Sequence, residues 1–379
     1  MQTRRVKSLQ ITVILLTIVT VMSLTLAGLF GALYIKETIK AERLQDEKEQ
    51  LLISQAVPAI SLDVGGNNAD STGDLLDDIM MGASIGEESA DFSQLMQAKE
   101  NEVEQSIKDR MKMLVTEDGS PLKMLRSFFP ENLIYYFRDE YVFAPVLEDV
   151  KKHTLLEENF VKTNDGQMQY VENGVVTSHK GIDVSKYQGS IDWAEVKADG
   201  VEYAFIRLGI RGYGSGKIVL DEFYEQNMNG ANEADVKAGV YFFTQAMTVA
   251  EAQEEAAFVI ENLAGYDVSC PVVFDVELIS NTGNKGRADS LTKEERTEVT
   301  IAFCEAIKAA GYTPMIYGNV ICFTQLLDMT KLNDYEKWYA FYDDYMYMPY
   351  EVSCWQYTEK GKVKGITGEV DMNISYKLW

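Results

Sequence analysis

Histidine is nearly missing from this chain: His153 and His179 are the only two among 379 residues. None lies between Lys180 and Trp379. That absence speaks against Ser-His-Asp, Cys-His and histidine-ligated zinc chemistry in that half. Positive charge is also scarce, with 35 Lys and Arg against 59 Asp and Glu, a net charge of -24. A general nucleic-acid binder needs a basic footprint, and this chain has none. The four cysteines, Cys270, Cys304, Cys322 and Cys354, show no C-x-x-C spacing. Export would permit disulfides, with three complete pairings open, but their apolar and aromatic surroundings suit buried free thiols equally well. Nothing in the pattern asks for a metal or a cofactor.

Charge itself is absent between Lys7 and Lys36. As a helix, residues 11–35 would extend about 37 Å, enough to cross a bilayer with some tilt. A cleaved signal peptide has an apolar core of only about 7–15 residues, so a retained anchor is the expectation, with "LAG" as the cleavage alternative. Arg4, Arg5 and Lys7 precede the run and would hold residues 1–10 in the cytoplasm. The chain would then be a single-pass protein of the cell membrane, with everything after Lys36 outside.

Residues 36–120 read as a helical stalk and acidic linker. "DVGGNNADSTGD" (63–74) has linker composition, and a helical stretch follows over about 75–115, as a coiled coil or a packed helix. Residues 121–179 read as a small α/β collar. Its Asp165-Gly166 and Asn173-Gly174 pairs are hairpin signals between alternating residues. The stretch 36–150 also offers room to dock a protein partner.

From residue 180 the pattern becomes regular. Asp192 with Glu195, Thr248 with Glu251, and Thr292 with Glu295 stand at capping-box spacing; the helices they open end at Gly200, Gly265 and Gly311. Between and after them lie eight strand candidates: "GIDVSKY", "YAFIRLG", "AGVYFFTQA", "PVVFDVE", "PMIYGN", "KWYAFYDD", "SCWQYT" and "EVDMNISY". The first five alternate with helices, which implies parallel pairing with right-handed crossovers. Eight strands in one domain predict an α/β fold, an irregular, TIM-barrel-like (β/α) barrel over 180–379; an open doubly wound sheet is the alternative.

Two acids end the strand "PVVFDVE". Asp275 and Glu277 are two residues apart, so they leave a strand from one face, where each disfavours ionisation of the other. Asp183 is expected to open the first strand and Asp371 the last, and closure of a barrel would bring these two together. Carboxylates without histidine suit glycoside hydrolysis, with one protonated acid and one ionised partner. Aromatic residues at strand ends could pack on sugar faces: Tyr187, Tyr213, Tyr241, Phe243, Tyr317, Tyr342, Trp355 and Tyr357. "GIRGYGSGK" resembles a phosphate loop, but Ile218 follows Lys217 where Ser or Thr is required. A glycine-rich loop over the cleft is expected instead, with Arg207 or Arg211 reaching substrate.

"GIDVSKYQGSIDW", "PVVFDVE", "SCWQY" and "VDMN", in that order, resemble the signatures of glycoside hydrolase family 25, the Chalaropsis-type lysozymes. The resemblance covers 181–379. It implies cleavage of the β-1,4 bond between N-acetylmuramic acid and N-acetylglucosamine in peptidoglycan, by retention with substrate assistance or by inversion. It also implies roles. Glu277 would be the general acid, Asp275 the partner that orients the 2-acetamido group, and Asp183 a substrate-binding or supporting acid. Asp371 would help set the cluster's protonation and, with Asn373, hold the barrel mouth. Gln188 and Gln356, inside the matching motifs, join the aromatics as substrate-binding candidates. The competing class is a non-catalytic wall-binding or scaffold protein on the same barrel. A hydrolase of another ester or amide on an open sheet lacks its histidines or metal ligands.

Overall fold

The computed structural model describes residues 85–118, 120–279 and 285–379. The expected membrane run 11–35 and the linker 63–74 lie outside them. Among the described residues no helix is long and apolar enough to cross a membrane. The first element is a 34-residue helix, α1 (Ile85–Asp118), which overlaps the acidic stretch expected to be helical.

The collar begins with α2 (Pro121–Phe128), capped by the Ser120 side chain, and continues as a hairpin of β1 (Asn132–Phe137) and β2 (Glu140–Pro145). A three-stranded sheet follows: β3 (Phe160–Lys162), β4 (Met168–Glu172) and β5 (Val175–Val176). Its two turns fall at the predicted pairs, with Gly166 and Gly174 both at positive φ. Glycine accepts that conformation without a steric penalty, which is why the sequence signal worked.

All eight strand candidates form. They are β6 (His179–Val184), β7 (Tyr203–Arg211), β9 (Lys237–Phe243), β10 (Val272–Asp275), β11 (Pro314–Asn319), β12 (Glu336–Ala340), β13 (Cys354–Gly361) and β14 (Val370–Ser375); the short β8 (Ile218–Leu220) forms a hairpin with β7. The order β6-β14-β13-β12-β11-β10-β9-β7 returns to β6 through the β6–β7 pairing. The barrel is closed. Helices α3 (Trp193–Ala198), α4 (Tyr224–Glu233), α5 (Val249–Leu263) and α6 (Lys293–Ala309) connect the early strands. Only α6 carries a complete capping box, between Thr292 and Glu295. Thr248 and Asp192 cap α5 and α3 alone, because Glu251 turns its carboxylate to the Met247 amide.

The parallel pairing expected for the first five strands does not extend to the last, since β14 runs antiparallel to both β13 and β6. The connection of residues 362–369 is too short for a crossover, so the chain turns straight back. One expectation needs correction: Asp183 does not open its strand. β6 begins at His179, where it pairs with Ser375, and Asp183 stands near its carboxyl end. Both features serve the site, because an antiparallel β14 starts at the end where the parallel strands finish.

Strand periodicity divides the barrel residues into two layers. Ile182, Ala204, Val240, Phe274, Ile316, Tyr339 and Trp355 face outward and pack in the larger apolar cluster. Tyr203, Phe205, Val273, Met315, Trp338 and Cys354 fill the interior. Phe205 stacks on Trp338 at 4.6 Å between ring centroids. Gly181 is required here, since a Cβ at that position would come within 2.1 Å of the Tyr203 ring. All four cysteines are buried and free.

Candidate active site

Above the filled interior, the same inward-facing rows continue to the mouth. β6 brings Asp183, β7 Arg207, β9 Tyr241 and Phe243, β10 Asp275, β11 Tyr317, and β13 Gln356. With Glu277, Trp338, Tyr342 and Asp371 they line a cleft of about 280 Å³. The four predicted acids are therefore together. Asp183 and Asp371 are direct partners across the antiparallel ladder. Asp275 ends β10 between Phe243 and Tyr317 of its neighbours, and Glu277 follows just beyond.

A directed hydrogen-bond network holds Asp183. Its Oδ2 accepts from Gln356 Nε2 and from Asn373 Nδ2, each at 2.8 Å. Asn373 Oδ1 in turn accepts from Trp338 Nε1 at 2.8 Å. Gln356 Oε1 accepts from the hydroxyls of Tyr317 and Tyr342 at 2.8 and 2.9 Å. The two amide donors meet on one carboxylate oxygen, and the indole and both phenols fix those amides in turn. Burial and the nearby Asp371 push the Asp183 carboxyl well up, and the two amide donors pull it back.

Asp275 and Glu277 differ in access. Asp275 is buried, while Glu277 is partly open to the cleft. Burial raises Asp275 well above the carboxylate range, aided by the charge of Glu277 and a hydrogen bond with it. Burial also raises Glu277, and the hydrogen bond with Asp275 opposes that rise. The Oδ1 atom of Asp275 is buried with no hydrogen-bond partner among the described residues. Such an orphaned acceptor is costly unless a ligand meets it. Among the described residues Arg207 is the one cation lining the cleft, and its Nε donates to Asp221 at 2.7 Å.

Asp371 is raised to about 6 by its partial burial, with the charge of Glu359 as the largest other cause. An acid whose folded value is raised costs no stability below its unfolded value near 3.9 and costs the full amount above the folded one. Asp371→Asn is therefore expected to stabilise the protein by about 2 kcal/mol at pH 7.5 and by almost nothing at pH 3.5. Urea unfolding at both pH values checks this; equal gains at both would refute it.

Some predicted site residues lie elsewhere. Trp355 and Tyr357 are buried outside the barrel: Trp355 packs on Phe160 of the collar and donates its Nε1 to the Phe341 carbonyl. The strand period sends Gln356 inward and Trp355 outward, a phase that pairing decides. Gln188 closes a turn by accepting from the Ser185 amide at 2.9 Å. Tyr213 sits half-exposed in the β7–β8 connection, where its carbonyl accepts from the Arg287 amide, and does not line the cleft. Arg211 is buried in ion pairs with Glu254 and Glu255, so it is not available to substrate. Tyr187 is 78% exposed and lies under the Arg207 guanidinium at 5.0 Å, at the rim. Asn373 is fully buried and acts through Asp183. Trp338 was missed, because nothing local says which face of "KWYAFYDD" turns inward.

Residues 182–366 match the family model described as glycosyl hydrolases family 25. That segment, just under half of the chain, is similar to the glycosyl hydrolases of family 25. The chain is 26% identical over 200 residues to the autolytic lysozyme of Clostridium acetobutylicum, a match covering 51% of this chain and 55% of that protein. It is 28% identical over 204 residues to the uncharacterized protein YegX of Escherichia coli (strain K12), covering 51% of this chain and 68% of the relative. Among solved structures, the modular autolysin LytC from Streptococcus pneumoniae aligns with a TM-score of 0.48 and 25% identity, over 57% of this chain and 52% of that one. The chain thus spans about half the length of the autolytic lysozyme and of the pneumococcal autolysin. The matched segment begins inside β6, so the collar and α1 precede it.

Proposed function

We propose that the barrel domain cleaves the β-1,4 bond between N-acetylmuramic acid and N-acetylglucosamine in peptidoglycan. The observation that carries this reading is the pairing of a partly open Glu277 with a deeply buried Asp275 whose Oδ1 has no partner among the described residues. The names of the lysozyme relatives point the same way.

In this reading the substrate's 2-acetamido N–H donates to Asp275 Oδ1. That contact favours the ionised form of Asp275 and moves the pair's shared proton to Glu277. Glu277 then protonates the leaving glycosidic oxygen as the C–O bond breaks. The acetamido carbonyl oxygen bonds to the anomeric carbon from the opposite face, giving a bound oxazolinium. Glu277, now ionised, takes a proton from the water that opens this ring. Asp183, fixed by its two amide donors, and Asp371 supply negative charge near the developing oxocarbenium. Tyr241, Phe243 and Tyr342 offer flat faces for the sugar rings, above a floor of Tyr317 and Trp338.

The uncharged run at residues 11–35 supports a membrane anchor, with Arg4, Arg5 and Lys7 inside and the hydrolase outside the cell. The test is digestion of purified peptidoglycan with the full chain, followed by borohydride reduction and mass spectrometry. Reduced muramic-acid ends are expected, and proton NMR of the digest before reduction should show the β anomer forming first. Protein that sediments with the wall but releases no fragments would leave a binding module instead.

A further inference from the structure

A second groove lies beside the cleft. It has a volume of about 400 Å³, within the range of small-ligand sites. One wall is the β3–β4 turn of the collar, with Lys162, Asp165 and Gln167. The other walls are residues 342–344 and the outer part of β13. Tyr342 lines both the groove and the carboxylate cleft, so the two cavities adjoin.

The walls are fixed by internal pairs. Lys162 Nζ meets Asp344 Oδ1 at 2.6 Å, tying the collar to the loop after β12. Gln167 Nε2 donates to Asp165 Oδ2 at 2.8 Å. Lys360 and Lys362 are different. Both line the groove, both are exposed, and neither has an ion-pair partner among the described residues. Asp165, Asp343 and Asp344 share the lining, with Asp344 paired to Lys162. Lys360 and Lys362 add their two positive charges beside them, a place for anionic groups on a chain of net charge -24.

We propose that this groove binds the short acidic peptide carried by the glycan, with Lys360 and Lys362 meeting its carboxylates. The inference rests on the muramidase reading of the adjoining cleft. A muramic-acid residue bears its peptide on the lactyl ether at C3, so a sugar bound in the cleft projects that peptide past the sugar edge, where Tyr342 separates the two cavities. The collar then acts as part of the substrate site. Lys162, Asp165 and Gln167 all lie outside the matched family segment, so this wall is an addition to the barrel.

The test compares two substrates: purified glycan strands with their peptides, and the same strands after an amidase has removed them. The full chain and its Lys360→Ala/Lys362→Ala variant are assayed on both by release of reducing ends. The variant should lose roughly tenfold in kcat/KM on peptide-bearing strands, the weight of two solvent-screened charge contacts. Its rate on stripped strands should stay within about twofold, which also reports an intact fold. Equal loss on both substrates, or no loss on either, overturns the groove proposal alone. A parent chain inactive on both substrates overturns the muramidase reading and the groove proposal with it.

Discussion

Glu277→Gln is expected to lower the release of reducing ends from peptidoglycan by about a thousandfold or more, with the fold unchanged. The amide keeps the shape of the acid and removes the proton that the leaving oxygen needs. The amide nitrogen of the replacement can still donate to the buried Asp275, so that carboxyl keeps a hydrogen-bond partner. The parent enzyme's pH profile offers a second check. Burial raises Glu277, so kcat/KM should hold above the ordinary glutamic-acid range and fall as pH rises through the shifted value. A Gln variant retaining more than about a tenth of parent activity would assign the general acid elsewhere.

Asp183 gives the second large effect, and here two substitutions should behave differently. Asp183→Ala leaves Gln356 Nε2 and Asn373 Nδ2 as buried donors without their acceptor. Each such loss costs about 1–3 kcal/mol, so a destabilisation of roughly 2–5 kcal/mol is expected. Asp183→Asn keeps an acceptor oxygen for both donors and removes the repulsion with Asp371. Its stability at pH 7 should equal or exceed that of the parent, while activity falls about a hundredfold through loss of the charge. Urea unfolding and reducing-end assays on both variants separate the structural from the chemical role. If both variants were equally unstable, the acceptor network would not be what Asp183 contributes.

Much of this was legible in the linear chain because it depends on short-range rules. Apolar runs between capped helices located all eight barrel strands, and Gly200, Gly265 and Gly311 end their helices at positive φ. The pair Asp275 and Glu277 stood out because two carboxylates at the end of an apolar strand need a reason. The errors cluster where a residue's direction depends on a distant partner. Trp355 and Gln356 are neighbours, yet one packs on the collar while the other reaches Asp183. Trp338 became visible as a site residue only when its indole met Asn373.

The sequence by itself determined the barrel's strands, the placing of acids at strand ends and the scarcity of histidine. These follow from local periodicity and residue type. Only the tertiary structure decided that β14 turns back antiparallel, that Asp371 faces Asp183, and that the collar forms a wall beside the cleft. Each of those rests on pairing between residues far apart in the chain. A period of two says that strand faces alternate, but the closure of the ring settles which face looks inward.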